Sequence, residues 1–230
     1  MRVLAIIPCY NEGPNLKETV ESLKAGAPGI DFIVVDDGSS DNTADVCADS
    51  GYPVIRLPFN LGLANAVRTG MRYAFNGGYE MALQFDGDGQ HLPGYIPQMI
   101  LLMTGNSADI VVGSRYMQEK PRGLRGFGGK CLSTAIKAAT GKTITDPTSG
   151  MRLYNRQMIE KFAGQINFGP EPDTLAYLIK RGAKVLETPV TMAGRKAGKS
   201  YLTALGSINY MIRMIVSILI IHWFREEGRY

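Results

Sequence analysis

"MALQFDGDGQH", residues 81–91, changes character halfway along. Its first half is largely apolar; its second half holds two carboxylates, two glycines, a glutamine and a histidine. A short apolar run bounded by glycines reads as a buried strand. Past its end, Asp86, Asp88 and Gln90 occupy alternate positions, so in extended chain their side chains point the same way. Two carboxylates held a few ångströms apart repel by about 1–4 kcal/mol, depending on the local dielectric. A cation between them removes that cost. Carboxylate and amide oxygens suit a hard divalent ion, Mg²⁺ or Mn²⁺, which can also hold a diphosphate. Gly87 and Gly89 carry no side chain, so a ligand can approach the backbone. An EF-hand calcium loop begins with similar spacing but requires glutamate at its twelfth position, and counting from Asp86 reaches Pro97.

The chain around this stretch alternates in period. "VLAIIP" (3–8), "FIVVDD" (32–37), "PVIRL" (53–57) and "DIVVGS" (109–114) are further apolar runs of the kind buried on both faces of a sheet. Between them lie helical patterns: one from Pro14, with Leu16, Val20 and Leu23 on one side, then 42–49, 63–75 and 94–104. Strands alternating with helices predict a parallel α/β sheet with right-handed crossovers. Ligands of such sheets bind beyond the carboxyl ends of the strands. Four of these strands run into "PCYNE", "VDDGSS", "FDGDGQH" and "GSRY", so four polar clusters fall on one edge. Helix capping could explain any one of them, but not all four. The second half is less regular. Residues 115–130 read as a mobile loop rich in Gly and Arg, followed by a helix over 130–140. "DPTSGMRLYNR" (146–156) reads as a turn, a short strand and a helix start. A helix over 172–181, a strand over 183–187 and a basic loop, "RKAGKSY" (195–201), complete the series.

Composition narrows the functional class. The 230 residues are 45% hydrophobic and 20% charged, so a substantial core is expected and disorder is not. Cys9, Cys47 and Cys131 share no CxxC spacing, which predicts reduced thiols in a cytosolic setting. The apolar run at the N-terminus is too short for a signal peptide and reads as the first strand. The net charge of +4 hides an asymmetry: residues 1–110 carry −7 and residues 111–230 carry +11. An acidic half suits a metal ion, and a basic half suits phosphates or an anionic membrane surface. Aromatic residues do not interleave with the basic loops as base stacking requires, so nucleic acid is not an expected partner. No G-x-G-x-x-G follows the first strand. "GRKAGKS" starts one residue too late for a P-loop, with no strand leading into it. With only His91 and His222, no Ser-His-Asp set is apparent. His91 follows the carboxylate motif as a supporting group, and His222 sits in an apolar helix.

Five motifs in order, "IIPCYNE", "VVDDGSSDNT", "FDGDGQH", "GSRY" and "DPTSGMRLY", resemble family 2 glycosyltransferases of GT-A fold. More narrowly they resemble the polyprenyl-phosphate branch that contains dolichyl-phosphate mannose synthase. The resemblance spans about residues 1–200. It implies a Rossmann-like, mostly parallel sheet flanked by helices, with residues 1–114 as the nucleotide-sugar and metal half and 115–200 as the acceptor half. It implies that Pro8, Tyr10 and Glu12 line the nucleoside pocket with Asp37, and that Asp86, Asp88 and Gln90 hold the metal and diphosphate. Arg195 and Lys199 match the family's "R-x-x-G-x-S" loop, expected over the diphosphate. Arg115 would meet the lipid phosphate, and Ser133 lies near the family's phosphate-binding serine. The arginine that usually precedes that serine by four residues is Gly129 here, leaving Arg122, Arg125 or Lys130 to replace it. The implied reaction is inverting transfer of one sugar from a UDP-hexose or UDP-N-acetylhexosamine to a polyprenyl phosphate, with Asp88 at the reacting centre. A saccharide hydroxyl as acceptor, or GDP-mannose as donor, is the alternative. A non-catalytic nucleotide- or nucleic-acid-binding module is the reading from another class. Asp146 is the candidate for orienting acceptor or metal, and Asp173 is second.

"MIVSILIIHWF" (214–224) is eleven mostly apolar residues, against about 20 for a membrane span. Extended upstream it takes in Asn209 and Arg213. Residues 201–230 are therefore expected as an amphipathic helix in the membrane interface, anchored by Trp223 and basic residues. The expected setting is peripheral, at the cytoplasmic face, with a small membrane protein and further copies of the chain as additional partners.

Overall fold

The computed structural model describes residues 1–118, 123–165, 168–194 and 204–220, with the backbone alone at 123–125, 204–205 and 207–208. Seven strands form one sheet: β1 (Val3–Cys9), β2 (Asp31–Asp36), β3 (Val54–Arg56), β4 (Met81–Gln84), β5 (Ile110–Ser114), β6 (Arg152–Asn155) and β7 (Val185–Pro189). Their order is β3-β2-β1-β4-β6-β5-β7. All neighbours are parallel except β6, which runs antiparallel to both β4 and β5.

Period-two alternation in β1 divides the core. Leu4 and Ile6 face one layer, with Met71 of α3 (Leu63–Asn76), Phe162 of α6 (Arg156–Gly164) and Leu175 of α7 (Pro172–Lys180). Val3, Ala5 and Ile7 face the other, with Leu16 and Val20 of α1 (Gly13–Gly26), Cys47 of α2 (Thr43–Ser50) and Met99 of α4 (Ile96–Asn106). A sheet covered on both faces explains why its strands read as unbroken apolar runs.

Register gathers the site. Cys9 pairs with Asp36 and Ile6 with Gln84, so the residues after β1, β2 and β4 emerge together on one edge. Arg152 pairs with Gln84. Because β6 runs backwards, the loop that precedes it, 146–151, arrives at the same edge.

Two expectations are corrected. Residues 115–130 are not one loop: α5 (Gly123–Thr140) begins well before residue 130. Gly126, Gly128 and Gly129 are buried, and a Cβ on Gly128 would strike Met211 of α8 (Ala204–Leu219). Gly128 therefore serves close helix packing. Likewise α8 is not separate from the domain. Met214 and Ile218 are buried in the layer that α5 and α7 share. Its opposite face leaves Ile212, Val216, Leu219 and Ile220 exposed. Among the described residues no helix is long and apolar enough to cross a membrane.

Candidate active site

A cavity of about 510 Å³ opens at the edge where the strands end. Pro8, Tyr10 and Glu12 line it from the end of β1, Asp37 from β2, and Asp86, Gly87 and Asp88 from β4. Thr148, Ser149 and Gly150 enter from the loop before β6. Asn60, Gly62 and Leu63 come from the start of α3, and Pro170, Glu171 and Pro172 from the start of α7. Tyr210 of α8 completes the wall.

Local hydrogen bonds fix each segment. Asn11 has a left-handed backbone, φ 56°, and its Oδ1 accepts from the N–H groups of Ser40 and Asp41. The loops after β1 and β2 are thus tied together. Asp37 accepts the N–H of Leu61 on Oδ1 and that of Gly62 on Oδ2, each at 2.8 Å, which places the first turn of α3 over the cavity. Its neighbour Asp36 faces inward, fully buried, and takes the N–H of Ser39. Cys9 is buried beside the carboxylates. Burial first, then the nearby Cys47, Glu12, Asp36 and Asp86, pushes its thiol well above the usual range.

Asp86 accepts from Gln84 Nε2 at 2.9 Å. Its own N–H donates to Nδ1 of the buried His91, whose ring packs edge-on against Phe85. Gly150 approaches so closely that a Cβ there would collide with the Asp86 carboxylate. Asp88 Oδ1 accepts the N–H of Gln90. Among the described residues no group of three His, Cys, Asp or Glu side chains converges on a metal-sized point. Asp86 and Asp88 therefore fit a cation such as Mg²⁺, which takes one or two carboxylates and draws its other ligands from substrate phosphate and water. They do not fit an all-protein cage.

The structure separates other candidates from the cavity wall. Gln90 turns away: its amide reaches Ala193 O at 3.3 Å, and the Ala193 N–H returns to Gln90 O. With the bridge between His91 and Met192, this staples the carboxylate loop to the segment after β7. Asp146 is fully buried, and its carboxylate holds Arg115 through Nε at 2.6 Å and Nη2 at 2.8 Å. Arg115 Nη2 also donates to Thr148 Oγ1 in the cavity wall. Burial alone would lower the Arg115 pKa, but Asp146 outweighs it and the guanidinium is held above its ordinary value. Asp173 accepts from the Thr174 N–H and the Ser217 hydroxyl, docking α8 on α7. Lys130 is exposed and Ser133 half-buried on α5, neither lining the cavity. Arg122, Arg195, Lys199, His222 and Trp223 lie outside the described residues, as does the Arg125 side chain.

Sequence patterns did not single out Glu171, Tyr210 or Asn60, which stand in the cavity wall. Glu171 has a local signal, since "EP" precedes a helical pattern. Tyr210 has none, because only the packing of α8 brings it there.

Residues 4–162 match Glycosyl transferase family 2, and the chain belongs to that family. The undecaprenyl-phosphate mannosyltransferase of Micrococcus luteus is 30% identical over 216 residues, 88% of each chain. The polyprenol monophosphomannose synthase of Mycolicibacterium smegmatis is 29% identical over 219 residues, 88% of this chain and 81% of that protein. Among solved structures, glucosyl-3-phosphoglycerate synthase from Mycobacterium tuberculosis, crystallised with Mn²⁺ and UDP-glucose, superposes with a TM-score of 0.70 at 18% identity. That match covers 99% of this chain and 80% of the other, and it shows the GT-A fold.

Proposed function

We propose that the protein transfers one sugar from a nucleoside-diphosphate sugar to a polyprenyl phosphate, inverting the anomeric carbon. The observation that carries this reading is the convergence of Asp86 and Asp88 with Pro8, Tyr10, Glu12 and Asp37 around one cavity in a family 2 glycosyltransferase. The two relatives, named for undecaprenyl-phosphate and polyprenol substrates, support the acceptor. Their names also put mannose beside the UDP-hexoses and UDP-N-acetylhexosamines as a sugar to assay.

Asp86 and Asp88 would hold Mg²⁺ or Mn²⁺, which when bound neutralises charge on the leaving diphosphate. Pro8, Tyr10, Glu12 and Asp37 would seat the nucleoside. Arg195 and Lys199, which lie outside the described residues, would add positive charge over the diphosphate. Arg115, locked by Asp146, would present a fixed guanidinium to the acceptor phosphate, with Lys130, Ser133, Arg122 and Arg125 as further candidates on the same segment. A phosphate monoester has its second pKa near 6, so at pH 7 it is largely dianionic. Its oxygen attacks the anomeric carbon, that carbon's bond to the diphosphate oxygen breaks, and the nucleoside diphosphate leaves with the electron pair. No proton must be removed, so a buried Asp146 that orients Arg115 suffices where a hydroxyl acceptor would need a general base. The exposed face of α8 would lie on the membrane that carries the acceptor.

The test is transfer from radiolabelled UDP-glucose, UDP-N-acetylglucosamine and GDP-mannose to undecaprenyl phosphate and, separately, to free sugars. Label in the lipid fraction, abolished by EDTA and by Asp88→Ala with the fold intact, is expected. Label on free sugar alone refutes the acceptor, and full activity in EDTA refutes the metal.

A further inference from the structure

His91 is buried behind the cation pair, and both of its ring nitrogens address Asp86. Nδ1 accepts the Asp86 N–H at 2.9 Å. A ring nitrogen that accepts an N–H carries no proton, so the proton of this ring sits on Nε2. That Nε2 faces Asp86 Oδ2 across 3.6 Å, just beyond hydrogen-bond length, and a small turn of the carboxylate closes the gap. The ring itself is held from elsewhere. It packs edge-on against Phe85 with 5.4 Å between centroids, and the His91 backbone bridges Met192. On either side of that bridge, Gln90 exchanges hydrogen bonds with Ala193, and Tyr95 Oη pairs with Thr191 Oγ1 at 2.8 Å. Residues 191–193 therefore carry the histidine, and the histidine carries Asp86.

The other carboxylate oxygen, Oδ1, accepts from Gln84 Nε2 at 2.9 Å, and Gly150 lies against the same group. One N–H donor directed at each oxygen fixes the plane of a carboxylate, while each oxygen keeps a lone pair for a cation. Groups that orient a metal's ligands in this way govern how tightly the metal binds. Resting on the cation reading above, we infer that His91 is the positioning residue for Asp86: as the Nε2–H tautomer it fixes the Asp86 backbone with one nitrogen and aims Oδ2 with the other. The geometry of the cation pair is then set by residues 191–193 through this one ring.

The experiment is calorimetric titration with UDP and with GDP, each in the presence and absence of Mn²⁺. His91→Phe keeps a ring against Phe85 and removes both nitrogens. It should weaken Mn²⁺-dependent nucleotide binding by about 10–100-fold, the usual cost of losing a group that orients a metal ligand, and leave metal-free binding unchanged. His91→Gln offers an amide donor in place of Nε2 and should recover part of the loss. No loss in His91→Phe, or equal loss with and without Mn²⁺, overturns the inference, because a ring that only fills space or only supports the fold gives those results. Should the His91 variants fail to fold, NMR of the ring nitrogens decides. The chain has two histidines, so His222→Gln leaves the His91 imidazole alone in the spectrum. Its proton should sit on Nε2, and that signal should shift on adding Mg²⁺ with UDP or GDP. A proton on Nδ1, or no shift, overturns the inference. If Mn²⁺ alters the binding of neither nucleotide in the unaltered protein, the cation reading itself falls and takes the inference with it.

Discussion

Arg115 and Asp146 meet as a two-pronged pair, Nε to Oδ2 at 2.6 Å and Nη2 to Oδ1 at 2.8 Å, and the Arg115 N–H adds a third bond to the same carboxylate. The carboxylate is fully buried, whereas the arginine side chain keeps about 32% of its surface exposed. This is an asymmetric pair: one end is sealed in the protein and the other is partly exposed. Forked geometry fixes the guanidinium plane as well as its position.

Asp146→Asn keeps the shape and removes the charge. Loss of charge-assisted hydrogen bonds should cost about 1–3 kcal/mol in urea unfolding. Donor binding should be nearly unchanged, while KM for undecaprenyl phosphate rises. A variant that loses donor and acceptor binding equally would move Arg115 out of the acceptor site.

Glu187 supports that pair from behind. Its carboxylate accepts the Thr145 N–H, the Thr145 hydroxyl and the Asp146 N–H at 2.8–3.0 Å. Glu187→Ala leaves two partly buried backbone donors without partners, again at about 1–3 kcal/mol. Glu187→Gln retains one acceptor oxygen and should recover part of the loss. Thermal unfolding of the three proteins side by side settles the order; equal stability of all three would show the contact to be idle.

Much of this architecture is legible in the residues. Strands β1, β2, β4 and β5 announce themselves because a sheet buried on both faces needs continuous apolar runs. Their polar ends announce the site because parallel strands deliver their C-termini to one edge. The strand β6 is harder. "RLYN" is short, and nothing in its composition says that it runs backwards between β4 and β5. That reversal brings Thr148, Ser149 and Gly150 to the cavity. Asp146 reads as a site carboxylate because its burial beneath Arg115 is a tertiary fact. The start of α5 reads as a loop because helix propensity omits packing such as that of Gly128 against Met211.

Gly150 is a point where one methyl group should be decisive. A Cβ there collides with the Asp86 carboxylate, so Gly150→Ala must displace either the loop or the carboxylate. The fold should survive, since the residue lies at a cavity rim and not in a packed layer. Titration with Mn²⁺ and UDP should show at least tenfold weaker coupled binding. Unchanged binding would mean that Asp86 does not participate.

Tyr210 gives a pH signature. Its folded pKa of about 12 lies above its ordinary value of 10, so the folded protein keeps a proton that the unfolded chain releases. Stability from this group is fully present below pH 10 and is lost as pH rises through 12. Tyr52, Tyr79 and Tyr154 are also raised, so only a comparison isolates Tyr210. Urea unfolding at pH 9 and pH 11 should show a steeper loss for the unaltered protein than for Tyr210→Phe. Parallel losses would contradict the buried, neutral phenol.

The helix α8 has two apolar faces with different duties, and substitutions on each should separate them. Met214 and Ile218 are 4% and 0% exposed, whereas Ile212, Val216, Leu219 and Ile220 are 58%, 42%, 42% and 56% exposed. Met214→Ala removes core volume and should cost about 2–5 kcal/mol of stability. Ile212→Ser with Val216→Ser removes side chains that are about half exposed and should cost much less stability than Met214→Ala. If the outer face rests on lipid, those two residues bury their remaining apolar area there. Full burial of such a side chain is worth about 1.5–3 kcal/mol, so half-exposed ones supply about 1 kcal/mol each. Together that corresponds to about a thirtyfold change in partitioning. Exposed Arg213 on the same helix and the +11 charge of residues 111–230 favour an anionic surface. Flotation with vesicles of phosphatidylglycerol and phosphatidylcholine should therefore recover the unaltered protein and lose the double variant, while both bind nucleotide equally. Equal flotation of the two proteins would assign the outer face of α8 to something other than the membrane.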